Sequence, residues 1–137
     1  MEIVQRVMPL DIPSEDGTIY PKDIVEDGIL HFVKRLGSNN ECIAGESKQP
    51  EQQSDDGGDR WQIINPRWIS HVVKHLWIEN GYLLVKLKLL GKYREAAEEG
   101  MEWNVTPRAV GIIEKGVATS FHLITVDLAY REHPIEE

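Results

Sequence analysis

The segment WISHVVKHLWIENGYLLVKLKLL, residues 68–90, carries the clearest structural signal in the sequence, two apolar stretches separated by Asn80-Gly81. Asn80-Gly81 is a strong signal for a two-residue hairpin turn, because both residue types tolerate positive φ. After this turn, apolar side chains fall on one face of a strand and two lysines on the other: Leu83, Val85, Leu87 and Leu89, against Lys86 and Lys88. The apolar pattern of 68–77 also fits a helix, but the turn needs a partner strand. We therefore predict an antiparallel hairpin.

Strands are also predicted on both sides of this hairpin. Residues 3–12 form an opening strand, and the short apolar run 42–44 forms another. Residues 103–113 and 117–129 form a second hairpin across the polar turn 114–116. The chain is therefore rich in antiparallel strand pairs.

Two helices complete the pattern. The first begins near Tyr20, with Pro21 suited to a first helical position, and ends before Gly37. Its apolar residues recur at helical spacing: Val25, Ile29, Phe32 and Leu36. The second spans 92–99 and is closed by Gly100. These elements predict an α+β fold, a mainly antiparallel, β-barrel-like domain with two or three helices.

The length of the chain bounds the number of domains. A chain of 137 residues suits one hydrophobic core, so we predict a single domain over 1–137. The tryptophan-rich segment 61–77 is predicted to pack in that core rather than to form a binding platform. Residues 46–59 contain no hydrophobic residue. We predict a mobile loop over about 46–60, because polar stretches of that length in small domains are often functional or disordered loops.

Composition argues against several classes of partner. The formal charge of −8 argues against nucleic-acid binding, since a surface that tracks phosphates needs a basic face. No window approaches the ~20 apolar residues of a membrane span, and the N-terminus has no signal-peptide layout. The single cysteine, Cys42, lies beside Ile43 and is expected to be a buried packing thiol. We therefore expect a cytoplasmic protein that binds neither nucleic acid nor membrane.

Two histidines four residues apart, His71 and His75, raise the question of a metal site. On a helix, both imidazoles would share one face and could ligate one ion. On the predicted strand they would again share one face, but about 13 Å apart at ~3.3 Å per residue. That separation is too long for one ion, and no Glu follows His71 directly. We predict no metal and no cofactor.

A Ser/His/Asp hydrolase would need a hydroxyl, a base and an orienting carboxylate. The chain offers three hydroxyl candidates: Ser70, Thr106 and Ser120. The base would be one of five histidines, and sequence alone does not pair them with a hydroxyl. Asp127 lies inside the apolar run 123–128, where a carboxylate is costly unless it is paired. Asp127 is therefore either bonded to the backbone or to Arg108, or it is catalytic.

Six parts of the chain, taken in order, form a series: GTIYP (17–21), GESKQP (45–50), NP (65–66), ISHVV with LW (69–73 and 76–77), VTPR (105–108) and FHLITVDL (121–128). This series resembles the prohead, or capsid-maturation, proteases of tailed phages, which are relatives of the herpesvirus capsid-maturation proteases. The resemblance covers nearly the whole chain and implies the fold of those proteases.

The resemblance also implies roles for matching positions. The family's histidine base falls on Gln49, which cannot accept a proton at neutral pH, and its nucleophilic serine falls on Thr106 or Pro107. Pro107 has neither a hydroxyl nor an N–H for an oxyanion hole. The hydroxyl of Thr106 stays protonated when no base is present. Arg108, near the oxyanion site, and Asp127, the third member of the triad, are retained.

These departures predict a pseudoprotease, a non-catalytic protein that binds a phage head-assembly component such as scaffold, capsid or protease. One alternative is an active serine/threonine-type endopeptidase that uses Thr106, with His71 substituting for Gln49 as the base. Another is a repurposed fold that binds and inhibits a host protein. All three imply a protein partner and leave self-association open. The expected location is the cytoplasm of the host bacterium or the assembling prohead.

Overall fold

The computed structural model describes residues 1–38, 43–46 and 69–130. Within them, strands and helices follow one another in this order: β1 (Glu2–Pro9), α1 (Lys22–Ser38), β2 (Ile43–Glu46), β3 (Ile69–Glu79), β4 (Tyr82–Leu89), α2 (Gly91–Glu98), β5 (Trp103–Val110), β6 (Ile113–Glu114), β7 (Val117–Ala118) and β8 (His122–Tyr130). Mostly antiparallel strands with two helices confirm the predicted α+β class.

The β3–β4 hairpin forms where the sequence predicts it. Glu79 pairs with Tyr82 across the turn, and Asn80 and Gly81 have φ values of 51° and 79°. Positive φ at both central positions matches the right-handed twist of the flanking strands. The strand interpretation of the segment before the turn is therefore confirmed from Ile69 onward.

The hairpin forms the centre of a four-stranded antiparallel sheet with strand order β1-β4-β3-β2. Its inner face is buried in the core: Met8, Val73, Leu76, Leu83, Val85, Leu87 and Leu89. Its opposite face, called the outer face below, carries the alternate side chains: Val4, Arg6, His75, Trp77, Leu84, Lys86 and Lys88. The first strand ends at Pro9 rather than at residue 12 because Asp11 turns the chain with a φ of 66°.

The second predicted hairpin is present but is interrupted. Strand β5 pairs with β8, and β6 pairs with β7 across a turn in which Lys115 and Gly116 have φ values of 52° and 78°. Between the two ladders, the Ile112 N–H donates to the Ser120 hydroxyl at 2.9 Å. A Cβ on Gly111 would overlap the Ser120 carbonyl oxygen, so the chains cross closely at this point.

The prediction of a β-barrel is wrong. In the described ranges, the strands form one four-stranded sheet and two two-stranded sheets, none of which closes on itself. Strand β1 pairs only with β4 in those ranges, and β2 pairs only with β3, so the large sheet keeps both of its edges. Alternation of apolar residues predicts each strand but carries no information about closure.

Helix α1 lies against β3 and β8. It begins at Lys22, where the backbone N–H donates to the Asp11 carboxylate at 2.9 Å, and Pro21 supplies the carbonyl for the first helical bond. The predicted apolar face is confirmed: Val25, Ile29 and Phe32 are buried and Leu36 packs beside them. Helix α2 also forms as predicted. Neither described helix is long and apolar enough to cross a bilayer.

Candidate functional site

The β5–β8 ladder carries most of the residues that the sequence singles out. Thr106 is the register partner of Asp127, Pro107 of Val126, and Arg108 of Thr125. Because side chains alternate along a strand, Thr106, Arg108 and Asp127 lie on the same face of this pair. The Thr125 hydroxyl on that face donates to the Ala44 carbonyl at 2.8 Å and so ties β8 to β2.

A fully buried ion cluster lies between β2 and this ladder. Arg108 donates from Nε to Asp127 Oδ2 at 2.9 Å and from Nη2 to Asp127 Oδ1 at 3.0 Å. The same Nη2 donates to Glu46 Oε2 at 3.1 Å, and the Glu46 backbone N–H donates to Asp127 Oδ1 at 3.0 Å. One guanidinium thus joins two carboxylates, and one carboxylate also holds the backbone of the other.

The cluster accounts for the burial of three charged side chains. A carboxylate or guanidinium in an apolar interior costs several kcal/mol unless paired, and the planar fork of Arg matches a carboxylate with two parallel bonds. Asp127 makes both kinds of bond that the structural alternative named, to Arg108 and to a backbone N–H. The catalytic roles of Asp127 and of Arg108 remain predictions.

Glu46 is the member of the cluster that the sequence interpretation missed. The sequence predicts Glu46 at the start of a mobile loop, yet Glu46 ends β2 and is 1% exposed. The signal was weak, a single acidic residue directly after the apolar run Ile43–Gly45. The rest of the predicted loop, 47–60, lies outside the described residues, as do Cys42 and Gln49. The predicted role of Gln49 is therefore not tested.

His71 lies beside the cluster and is fully buried, with both ring nitrogens engaged. Its Nε2 is 2.6 Å from the Val126 carbonyl oxygen, and its Nδ1 is 2.7 Å from the Ser70 hydroxyl. A carbonyl can only accept, so Nε2 carries the proton, and in the neutral ring Nδ1 accepts from Ser70. Burial lowers the pKa of His71, while the bond to Val126 and the charge of Asp127 oppose that shift. The ring is therefore neutral at pH 7.

This arrangement pairs one of the candidate hydroxyls with a histidine, which the sequence alone did not do. The Ser70 hydroxyl donates to an imidazole whose other nitrogen is oriented by an acceptor, as in a Ser–His pair. Both side chains are 0% exposed, so no substrate reaches them in this conformation. The pair therefore acts as a packing and hydrogen-bonding unit between β3 and β8.

Thr106 is partly buried and lines a groove. The groove has a volume of about 740 Å³ and lies between β1, the 14–16 turn, β5 and the β6–β7 hairpin. Its lining residues are 6–9, 14–16, Tyr20, Tyr82, 104–107, 109–111, Ile113, Ala118, Ser120 and Phe121. In the described part of the chain, no histidine bonds to the Thr106 hydroxyl, because His71 is committed to Ser70 and Val126.

The two histidines that raised the metal question lie on opposite faces of the sheet. A β-bulge between Val73 and His75 shifts the register, so His71 points into the core while His75 is exposed. The expectation of a shared face is therefore wrong, because one extra residue reverses the alternation. Residues 1–38, 43–46 and 69–130 contain no cluster of three or more metal-ligating side chains.

The same bulge places Trp77 on the outer face. Its ring stacks on His75 with centroids 5.0 Å apart, and its Nε1–H donates to Glu79 at 3.0 Å. Trp77 is half-buried, so the prediction that it packs in the core is wrong. The other tryptophans of that segment, Trp61 and Trp68, lie outside the described residues.

Comparison with known proteins identifies the fold. No protein-family model matches the sequence, and no curated protein matches it. Among solved structures, the bacteriophage T4 capsid assembly protease, gp21, matches with a TM-score of 0.76 and 14% sequence identity. The match covers 96% of this chain and 82% of that one. At this identity the likeness shows the fold alone, and it supports the fold that the sequence resemblance implies. The chain therefore has a fold similar to that of a phage capsid assembly protease.

Proposed function

We propose that this chain is a phage head-assembly protein that uses a protease fold to bind a protein partner without cleaving it. One observation carries this proposal: Thr106 lines a groove, while His71 is fully buried and bonded to Ser70 and Val126. A threonine hydroxyl without a base to take its proton is a poor nucleophile. The groove beside Thr106 could still hold a ligand, because binding needs no nucleophile.

An extended peptide is the ligand that suits this groove. A volume of about 740 Å³ lies within the range of ligand-binding clefts. Four residues of β1 line the groove, and among the described residues β1 pairs only with β4. A peptide strand added along β1 would gain main-chain hydrogen bonds, with side-chain pockets for specificity. None of this needs a catalytic residue.

The fold likeness supports a head-assembly component as the partner: scaffold, capsid or an active protease. In this proposal the protein acts in the cytoplasm of the infected bacterium or inside the assembling prohead. The second candidate, an active endopeptidase, is favoured by the position of Thr106, which lies opposite Asp127 in the ladder and borders the groove. Such an enzyme would need a base other than His71, whose two ring nitrogens are both engaged.

Two neighbouring isoleucines allow a matched test of the groove. Ile113 and Ile112 are 53% and 57% exposed, but only Ile113 lines the groove. We would measure binding of purified scaffold and capsid proteins, from the genome that encodes this chain, to the wild type and to Ile113→Glu and Ile112→Glu. Ile113→Glu should weaken binding about tenfold, since a buried charge in an apolar contact costs more than 1 kcal/mol.

Ile112→Glu should bind as the wild type does. Equal loss in the two variants, or no loss in either, would show that the partner does not use the groove. If the wild type bound none of the head-assembly proteins, the proposed function itself would be overturned. Circular dichroism of both variants shows whether the fold is intact.

A further inference from the structure

On the outer face of the four-stranded sheet, the described side chains lie in rows that cross the strands. Register places Trp77 beside Leu84 and Leu84 beside Arg6, while the next row runs from His75 through Lys86 to Val4. Val4 is 53% exposed, and Trp77 and Leu84 are partly exposed. Apolar and cationic side chains therefore lie side by side across three strands, and those named here are at least partly exposed.

This face is cationic, although the chain as a whole is acidic. Three cations lie on it, Arg6, Lys86 and Lys88, against the carboxylates of Glu2 and Glu79. The Lys86–Glu2 pair is 3.2 Å long with both side chains 43% exposed, and such exposed pairs are weak enough to exchange partners. In a chain of net charge −8, a face with more cations than carboxylates needs an explanation.

The two other cations are not committed to carboxylates. The Arg6 guanidinium lies 4.3 Å from the centroid of the Tyr82 ring and makes no ion pair within the described residues. Lys88 is exposed and likewise makes no ion pair there. Lys86 and Lys88 are two residues apart on one strand, so their side chains stand about 7 Å apart. Alternate residues of an extended segment have the same spacing.

The aromatic rings of this face do not provide a platform for nucleobases. One side of the Trp77 ring is stacked on His75, and the Tyr82 ring is covered by Arg6. Single-stranded nucleic acids gain their affinity from open aromatic faces on which bases stack. Here the Trp77 ring is already stacked on His75, and the Tyr82 ring is already covered by Arg6.

We propose that the outer face binds an acidic, extended segment of a protein partner, with carboxylates on Arg6, Lys86 and Lys88 and apolar side chains against Val4 and Leu84. Charge complementarity between a cationic face and an acidic segment carries the proposal. The surface shares Arg6 and Tyr82 with the groove, whereas Val4, Leu84, Lys86 and Lys88 do not line the groove. The proposal therefore stands or falls independently of the groove function.

The test uses a fluorescein-labelled peptide of alternating Glu and Leu, with fluorescence anisotropy as the readout. The variant is Lys88→Glu, because Lys88 does not line the groove. The matched control is Lys115→Glu, which makes the same charge change on the exposed β6–β7 turn. Lys88→Glu should weaken peptide binding at least about fivefold, and added salt should weaken wild-type binding, since the contacts are exposed and charged.

Lys115→Glu should change the affinity less than about twofold, because long-range effects of exposed charges are screened. Equal losses of peptide affinity in the two variants would overturn the proposal. It would also be overturned if a peptide with Lys in place of Glu bound as tightly as the acidic peptide. Tighter binding of oligothymidylate than of the acidic peptide would assign the face to nucleic acid instead. A dimer in sedimentation analysis that Lys88→Glu dissociates would assign it to a second copy of this chain.

Discussion

Arg108 shows how one side chain organises the interior of this protein. Its guanidinium bonds Asp127 and Glu46, while the Glu46 N–H bonds Asp127, so residues far apart in sequence are fixed together. Arg108 and Asp127 attract attention in the sequence because they are charged residues within apolar segments. Glu46 does not, since it borders a long polar stretch. The sequence therefore indicated two members of the buried cluster, and the structure identified Glu46 as the third.

Removal of one partner tests the energetic role of this cluster. Asp127→Ala removes two hydrogen bonds of the Arg108 guanidinium and the acceptor of the Glu46 N–H. We expect a loss of about 3–5 kcal/mol in the free energy of unfolding, as for other broken buried pairs. Urea denaturation measures this loss. The exposed pair supplies the control: Glu2→Gln should cost less than about 1 kcal/mol.

The lowered pKa of the buried His71 predicts that the folded protein loses stability as the pH falls. Burial lowers its pKa in the folded state, so the unfolded chain takes up a proton at higher pH than the folded chain does. Its contribution is therefore complete above the unfolded pKa of about 6.5 and is lost as the pH falls below it. Urea midpoints should decrease between about pH 7.5 and pH 5.5 in the wild type.

His71→Gln separates this effect from other titrations, because Gln can still donate to the Val126 carbonyl but does not titrate. The variant should lose less stability than the wild type over the same pH interval. His31→Gln, at an exposed position of α1, should keep the wild-type slope. If His71→Gln also kept that slope, His71 would not be the titrating group.

At the scale of strands and helices, local pattern predicted most of the fold. The Asn80-Gly81 turn, the apolar face of α1 and the 114–116 turn all formed where turn chemistry and periodicity placed them. The bulge between Val73 and His75 was not predicted, because β-branched and apolar residues on both sides of it fit either register. That one bulge reversed the predicted positions of His75 and Trp77.

Helix α1 packs against the chain entering β8 through a glycine. A Cβ on Gly28 would overlap the carbonyl group of Phe121, which is backbone and cannot turn away. Gly28→Ala should therefore lower the free energy of unfolding by about 1–3 kcal/mol, although Ala is the better helix former. Thermal or urea unfolding measures the change.

Leu30→Ala, two residues along the same helix, supplies the matched control, since Leu30 is 49% exposed and lies away from this contact. It should change stability by less than about 1 kcal/mol. A stabilising Gly28→Ala would show that α1 stands further from β8 than described.

The whole molecule combines a fold similar to that of a phage protease with two surfaces for which we propose a binding role. The fold matches that of a capsid assembly protease over 96% of the chain. The groove beside Thr106 is open, whereas the Ser70–His71 pair is closed to solvent. The family resemblance places a weak nucleophile at Thr106 or Pro107, and that role stays a prediction. The sequence could not predict that His71 would be committed elsewhere, since that depends on contacts between β3 and β8.

We propose that this protein binds head-assembly proteins without cleaving them. Intact-mass spectrometry tests it most directly, with the full chain incubated beside purified scaffold and capsid proteins from the same genome, and with Thr106→Ala as the comparison. We predict that every protein keeps its full mass in both mixtures and that the two spectra are identical. New fragments that appear with the wild type and disappear with Thr106→Ala would show an active endopeptidase and would contradict this account.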